Sequence, residues 1–422
     1  MHPGYGFLSE NPEFADNVTS AGLRFIGPSG ASIRLLGDKT AARGLAASLG
    51  IPMIAGSGGA LDNEETAAAI AAEIGFPVLL KAAAGGGGKG MRIVEGKKDF
   101  SQAFSMARSE AKNAFGDERI YVEKYVKNPH HVEIQILGDH YGSMVYFGER
   151  DCSIQRRHQK VIEESPSTII SEATRRKMGE SAVNLAKKAG YSNAGTVEFL
   201  VDNDGDFFFL EVNTRLQVEH PVTEAVSGID LVRAQIRVAQ GDRLEISQQD
   251  IHSRGHAVEC RIYAEDPSND FFPSTGRLDR YRLPSGPRIR IDNGAQEGDT
   301  VQIYYDPMLA KIVSWGPTRG EAIAAMKRAL SEYEITGIQS TIPFCQYVLG
   351  HTVFVDGKHD TGFVNQYFRA KYLNAALTPS DHLVAALAAA LLVDSSQQSI
   401  LHENGSGQTG SSWKARRAEA HR

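Results

Sequence analysis

Glu211-Val-Asn-Thr-Arg-Leu-Gln-Val-Glu-His220 alternates polar and apolar residues along most of its length. It follows Phe207-Phe-Phe-Leu210, an aromatic-rich run that predicts a buried strand. In an extended chain this pattern sets Glu211, Asn213, Arg215, Gln217 and Glu219 on one side and Val212, Thr214, Leu216 and Val218 on the other. Two carboxylates, two amides and a guanidinium are too polar for an ordinary core face. The same alternation equally suits a solvated sheet edge.

The segment before it adds a second constraint. Thr196-Val-Glu-Phe-Leu-Val201, Asp202-Asn-Asp-Gly-Asp206 and the Phe207 run predict a β-hairpin with an Asp-Gly turn. One register of that hairpin sets Glu198 opposite Glu211, with Asn213 on the same face. Facing carboxylates repel unless a cation lies between them, and an all-oxygen set with few carboxylates suits Mg²⁺ shared with phosphates.

With 422 residues and 41% hydrophobic content, the chain is long enough for two or three domains. A net charge of −6 argues against nucleic acid as the main partner. Cys152, Cys260 and Cys345 are too scattered for a disulfide framework or a cysteine metal site. The longest apolar run, from Leu383 to Val393, is too short to span a membrane and predicts a packed helix. No signal peptide is visible, so a cytoplasmic chain with no membrane partner is expected.

Strand-like stretches (Leu23–Ile26, Ile51–Ile54, Phe76–Lys81) alternate with helical ones near the start, which predicts an α/β or α+β architecture. Gly37-Asp-Lys39 reads as a helix start capped by Asp38. In Lys81-Ala-Ala-Ala-Gly-Gly-Gly-Gly-Lys-Gly-Met91, four consecutive glycines between two apolar strands predict a phosphate-covering loop whose amides converge on an anion. A flexible linker is the competing reading, and a Walker A is excluded because Gly90 and Met91 follow Lys89. His131, Glu133 and Gln135 share one face of a strand, either as ligands or as a polar surface. Glu149-Arg-Asp-Cys-Ser-Ile-Gln-Arg-Arg-His-Gln-Lys160 reads as a dense cationic loop, tethered by Val161 and Ile162. A β-rich region opens at His256, and residues 395–412 are linker-like.

These residues resemble the biotin carboxylase component of biotin-dependent acyl-CoA carboxylases, an ATP-grasp enzyme. The resemblance runs through His2-Pro-Gly-Tyr-Gly-Phe-Leu-Ser-Glu-Asn11, Lys81–Met91, Glu149–Lys160, Glu211–Glu224 and Glu259-Cys-Arg-Ile-Tyr-Ala-Glu-Asp-Pro267, covering the chain to about residue 370. It implies an ATP-grasp fold of the α+β or α/β class: a remnant of an N-terminal α/β domain at 1–37, an ATP-grasp domain at 38–240, a β-rich C-terminal domain at 254–370, and a helical tail with linker at 371–422. Family members begin earlier, with a βα segment, and Trp413-Lys-Ala-Arg-Arg417 resembles the start of a region leading to later domains. A chain cut at both ends is therefore expected.

The resemblance also implies roles. Lys39, Lys81, Gly86, Gly87, Gly88, Lys89, Gly90, Met91, Glu123, Lys124, His131, Gln155 and His158 look like nucleotide contacts. Glu198, Glu211 and Asn213 look like ligands of Mg²⁺ or Mn²⁺, and Lys160, Arg215, Gln217 and Val218 resemble a bicarbonate pocket. Glu219 looks like the base that deprotonates bicarbonate, and Arg261 lies near the biotin ureido oxygen. The implied cofactors are ATP, the metal, and biotin carried on another protein, since Ala325-Met-Lys327 lies in a helical context unlike a biotin-accepting hairpin. Implied partners are a biotin carboxyl carrier, a carboxyltransferase and a second copy of the chain. Another ATP-grasp carboxylate-activating ligase, or an inactive fragment binding nucleotide or partner subunits, are the alternatives.

Overall fold

The Glu149–Lys160 stretch is a hairpin of two long strands, not a loop. In the computed structural model, which describes residues 1–83, 91–373, 383–384, 386–387 and 389–391, strands β5 (Met144–Arg156) and β6 (Gln159–Ser165) pair antiparallel. Arg157 and His158 form the two-residue turn, with φ of 48° and 68°. Left-handed conformation at both central residues matches the twist of the flanking strands. Arg150, Cys152 and Ile154 are buried, as are Asp151, Ser153 and Gln155, so both faces of this strand are covered.

In chain order, helices α1 (Pro12–Ser20), α2 (Gly30–Gly37), α3 (Lys39–Ser48) and α4 (Glu64–Ile74) come first. Asp38 caps α3 by accepting from the Ala41 amide at 2.7 Å. Strands β1 (Val78–Ala82), β2 (Met91–Val94) and β3 (Ile120–Lys124) form a small antiparallel sheet ordered β2-β1-β3. Helix α5 (Lys97–Phe115) and α4 cover it, burying Val78, Leu80, Phe104, Ala107 and Val122 in one apolar cluster.

The larger sheet has eight strands. Besides β5 and β6 it holds β4 (His130–Gly138), β7 (Asn193–Val201), β8 (Phe207–Asn213), β9 (His256–Tyr263) and the strands Ile289–Asn293 and Met308–Gly316. Their order is Ile289–Asn293, Met308–Gly316, β9, β6, β5, β4, β7, β8, every neighbour antiparallel. Helix α6 (Glu172–Lys188) packs Met178, Ala182 and Leu185 against Val132, Ile134 and Phe199. Helices α7 (His220–Ser227) and α8 (Leu231–Gln240) follow β8.

The β7–β8 hairpin has Glu198 opposite Glu211 and Thr196 opposite Asn213, then slips by one residue at Phe199. Extended structure ends at Asn213, so the predicted alternation to Glu219 does not persist. Thr214, Leu216, Gln217 and Glu219 are all buried because the chain turns there into α7. The expected Leu23–Ile26 strand is absent. Leu23 N–H bonds back to the Val18 carbonyl of α1 and Ile26 N–H to the Met1 carbonyl, which leaves no ladder. Ile51–Ile54 contributes a single parallel bridge, Met53 to Phe209.

Residues Met1–Ala370 form one compact unit and Lys371–Arg422 a second. Within the second, the described residues of the Leu383–Val393 run are helical, but Leu383, Val384, Leu387 and Leu391 are exposed where a packed helix was expected. Residues 395–412 lie outside those described.

Candidate active site

One row of side chains crosses four strands: Arg150 on β5, Glu133 on β4, Glu198 on β7 and Glu211 on β8 stand opposite one another in register. Three adjacent carboxylates would repel across such a row. Lys160, near the start of β6, neutralises two of them from outside it, and Lys39 pairs with the third, Glu211. Lys160 Nζ lies 2.5 Å from Glu133 Oε2, 3.0 Å from Glu198 Oε1 and 2.7 Å from Glu219 Oε1.

Arg150 is fully buried, at 0% exposure, and its guanidinium is satisfied by five acceptors. Nε donates to Glu133, Nη1 to Gln135 Oε1 and Thr223 Oγ1, and Nη2 to Thr196 Oγ1 and Gln217 Oε1. A buried cation tolerates its desolvation only when its donors are matched in this way.

Glu219 is the residue before α7 and is buried. Oε1 takes the Lys160 ammonium and Oε2 accepts from Arg261 Nη2 at 2.8 Å. Burial pushes its carboxyl up, yet Lys160, Arg261 and Arg150 outweigh that and hold it well below the usual carboxylate range. Arg261 is fixed in turn by Glu163 Oε1 at 2.6 Å from Nε and by the Tyr263 hydroxyl at 3.4 Å from Nη1. Thr341 Oγ1 bonds the Arg261 carbonyl and the Tyr263 amide, both at 2.9 Å, which pins that stretch of β9.

The Asn213–Val218 turn is held by Glu10. One of its oxygens accepts the Thr214 amide at 2.8 Å and the other receives Arg215 Nε at 2.9 Å. Gln217 Nε2 and Asn213 Nδ2 each lie 2.8 Å from Glu198 Oε1. The Val218 carbonyl accepts from Lys311 Nζ, which also lies 3.5 Å from Asp292 and 5.5 Å from the Tyr5 ring centre.

The other predicted residues divide. His131 Nε2 lies 2.8 Å from Glu198, and Gln155 Nε2 lies 3.2 Å from His131 Nδ1. Burial lowers the His131 pKa, but the Glu198 carboxylate more than reverses it. His158 sits at the β5–β6 tip, where desolvation and the charges on His131 and Lys81 press its pKa down. Lys81 and Glu123 form an ion pair on the small sheet, with Arg43 3.4 Å from Glu123. Lys39 lies 2.9 Å from Glu211. Met91 stands opposite Lys81 and is exposed. The Lys124 ammonium turns to the Gly75 and Phe76 carbonyls, at 3.0 and 3.1 Å, and is not brought to this cluster. Gly86, Gly87, Gly88, Lys89 and Gly90 lie outside the described residues.

Glu198 and Glu211 offer two carboxylates on facing strands, with His131 and Glu133 close to Glu198; Asn213 turns its Nδ2 to Glu198 and its Oδ1 to Arg215 Nη2, so it would join them as a ligand by rotating its amide. That oxygen-rich set fits a hard divalent cation.

Sequence reasoning assigned no role to Glu10, Arg150, Glu163, Glu259 or Lys311, and left Glu133 undecided between a ligand and a polar surface that its complete burial excludes. The available signals were slight: Lys311 is a lone cation in the apolar Met308–Gly316 strand, and Glu259 alternates with Arg261 and Tyr263. Glu163 and Glu259 face each other across β6 and β9, both fully buried. Among the described residues Glu163 Oε2 and both Glu259 oxygens find no hydrogen-bond partner.

Most of the chain matches known protein families. Residues 259–366 match the biotin carboxylase C-terminal domain, 1–33 the biotin carboxylase N-terminal domain, and 38–247 the carbamoyl-phosphate synthase L chain ATP-binding domain. The biotin carboxylase of Nostoc sp. is 48% identical over 366 residues, 87% of this chain and 82% of that one. The chain belongs to the biotin carboxylase family. A second relative, the propionyl-CoA carboxylase alpha chain of Ruegeria pomeroyi, is 47% identical over 412 residues, 93% of this chain but 60% of that protein's length. Solved biotin carboxylases superpose well. The biotin carboxylase domain dimer of Hydrogenobacter thermophilus 2-oxoglutarate carboxylase, in complex with MgADP, ADP and bicarbonate, has a TM-score of 0.81 at 45% identity, covering 87% of this chain and 81% of that one. The biotin carboxylase of Campylobacter jejuni, in a β,γ-ATP complex, also scores 0.81, at 48% identity, covering 87% and 82%. The fold is thus that of biotin carboxylase ATP-grasp structures.

Proposed function

We propose that this chain catalyses ATP- and bicarbonate-dependent carboxylation of biotin, the first half-reaction of a biotin-dependent carboxylase, as a carbon-nitrogen ligase. The observation that carries this reading is Glu219, buried and gripped between Lys160 and Arg261 beside the Arg215–Val218 turn.

Bicarbonate is a weak nucleophile. Arg215, Gln217 and the Val218 main chain suit a small planar anion, with paired donors as guanidinium provides for carboxylates. Glu219 takes its proton as the oxygen attacks the γ-phosphorus, giving carboxyphosphate and ADP. Lys160 is placed to neutralise charge developing on the transferred phosphoryl group. Glu198, Glu211 and Asn213 would hold Mg²⁺ or Mn²⁺, which supplies further charge neutralisation at the phosphates. Carboxyphosphate breaks its C–O bond to CO₂ and phosphate; the phosphate takes the proton of the biotin ureido nitrogen, which attacks CO₂ to form the new N–C bond, while the Arg261 guanidinium stabilises the charge developing on the ureido oxygen.

Lys39, Lys81, Glu123, His131, Gln155 and His158, together with the glycine-rich loop, Met91 and the main chain near Lys124, form the nucleotide side of the cleft in this reading. Residues 38–240 then act as the ATP-grasp domain and 254–370 as the β-rich carboxylase domain. A biotin carboxyl carrier, a carboxyltransferase and a second copy of the chain are the expected partners. ADP release that needs bicarbonate and rises with free biotin tests the reading; ATP cleavage indifferent to both would overturn it.

A further inference from the structure

Two turns near the Arg261 end of the site carry apolar side chains into solvent. In the first, Phe7 is 99% exposed at φ 50°. A phenylalanine in the left-handed region with its ring in water gains nothing from folding there, so local structure must impose it. That structure is tied to the site at both ends. Tyr5 lies over Lys311, and Glu10 clamps Arg215 and Thr214.

In the second turn Ile303, Tyr304 and Tyr305 are 68%, 80% and 73% exposed. Its base is equally fixed. Asp306 accepts the Met308 amide at 2.9 Å and the Pro307 carbonyl accepts the Ala264 amide at 2.8 Å, just past the Tyr263 end of β9. The strand leaving this turn carries Lys311, which stands opposite Arg261. The two turns meet through one contact: the ring centre of Tyr5, on the first, lies 5.5 Å from the ammonium of Lys311, on the strand that leaves the second.

We infer that Phe7 and the Ile303–Tyr305 turn form an aromatic rim on which the protein surface of a biotinylated carrier seats while its biotin reaches Arg261. The inference rests on the carboxylation reading above. Exposed aromatics on pre-ordered turns give large contact area at small entropic cost. Three such rings cover about 450–750 Å², short of the roughly 800 Å² per partner of a stable interface. A carrier must bind and leave at every turnover, so a small patch suits it better than a permanent subunit contact.

Free and carrier-bound biotin separate the rim from the chemistry. The probe is the isolated biotinylated carrier domain of a propionyl-CoA carboxylase alpha chain, compared with free biotin in bicarbonate-dependent ATP cleavage. The variants are the double substitution Tyr304→Ser, Tyr305→Ser and, separately, Phe7→Asn, since asparagine tolerates the left-handed backbone. Tyrosine hot spots imply at least about a tenfold rise in KM for the carrier, with kcat and the response to free biotin unchanged. Unchanged carrier KM in both variants would overturn the rim, as would equal losses with free biotin. Conversion of a dimer to a monomer by sedimentation would overturn it too, by assigning the patch to self-association. If the parent chain itself shows no response to free biotin, it is the carboxylation reading that fails.

Discussion

Glu219→Gln isolates proton acceptance from shape. In the parent, Oε1 meets Lys160 at 2.7 Å and Oε2 meets Arg261 at 2.8 Å. The amide retains one acceptor and sets its NH₂ against the other cation. That local mismatch costs about 1–3 kcal/mol and falls on the orientation of Lys160 or Arg261. Loss of a general base adds on the order of 10²–10⁴ in rate, or about 2.7–5.5 kcal/mol of barrier. We expect bicarbonate-dependent ADP release to fall at least about 10²-fold, while Mg-ATP affinity by calorimetry stays close to the parent and the melting temperature drops by only a few degrees. Glu219→Asp, which keeps the charge and withdraws it by one methylene, should recover part of the rate. Turnover of Glu219→Gln within a few-fold of the parent would refute the assignment and leave Glu219 as a structural counter-ion of Lys160 and Arg261.

Arg150→Met leaves Glu133 and four other acceptors without their shared donor, so a loss of about 3–5 kcal/mol is expected, read as a lower denaturant midpoint; an unchanged midpoint would mean the network is dispensable. Glu211→Gln should raise the Mg²⁺ concentration for half-maximal ATP cleavage on the order of tenfold, and an unaltered Mg²⁺ response would remove Glu211 from the metal site. Burial, with Glu163 adding and Lys311 opposing, raises the Glu259 carboxyl well above the ordinary range, and Glu163 is raised to about 7. Raised carboxyls hold protons more tightly folded than unfolded, so their contribution is present at low pH and is lost as pH climbs from about 4.3 through the folded values. Glu259→Gln should therefore raise the melting temperature at pH 8 more than at pH 5; equal shifts at both would count against this pair.

Much of the local structure was legible because strand pairing is short-range information. The Asp-Gly turn of the β7–β8 hairpin was plain from sequence, but the pairing of Glu198 with Glu211 was one assumed register, and it is reached through the one-residue slip at Phe199. Asp38 at the start of α3 was equally plain. Where reading failed, charge was mistaken for exposure. The Glu149–Lys160 run has as many cations as a solvated loop, yet β4 and β6 flank β5 and α6 and α7 pack against it, so Arg150 and Asp151 are buried. No local pattern distinguishes a buried arginine with five acceptors from a surface one, because those acceptors come from β4, β7, α7 and the turn after β8. Lys160 joins Glu133, Glu198 and Glu219 over sequence separations of 27, 38 and 59 residues. Alternation alone carries nothing of that convergence.

The same convergence bears on how Glu219 can act as a base. Three cations that hold a carboxyl well below its usual range also make it a poor proton acceptor. Proton transfer from bicarbonate therefore requires one of them to loosen. Arg150 is locked by five acceptors, and Arg261 is held by Glu163 and Tyr263. Lys160 differs from both in its partners: its ammonium, a point charge on a flexible stem, is shared among three carboxylates, so a polyanion can compete for it. When triphosphate draws that ammonium away, Glu219 loses the largest of the charges that lower its pKa. Its proton affinity rises as the γ-phosphorus comes within reach of bicarbonate. In the proposed mechanism base strength would then be tied to nucleotide occupancy, with bicarbonate activated only when there is a phosphoryl group to receive it.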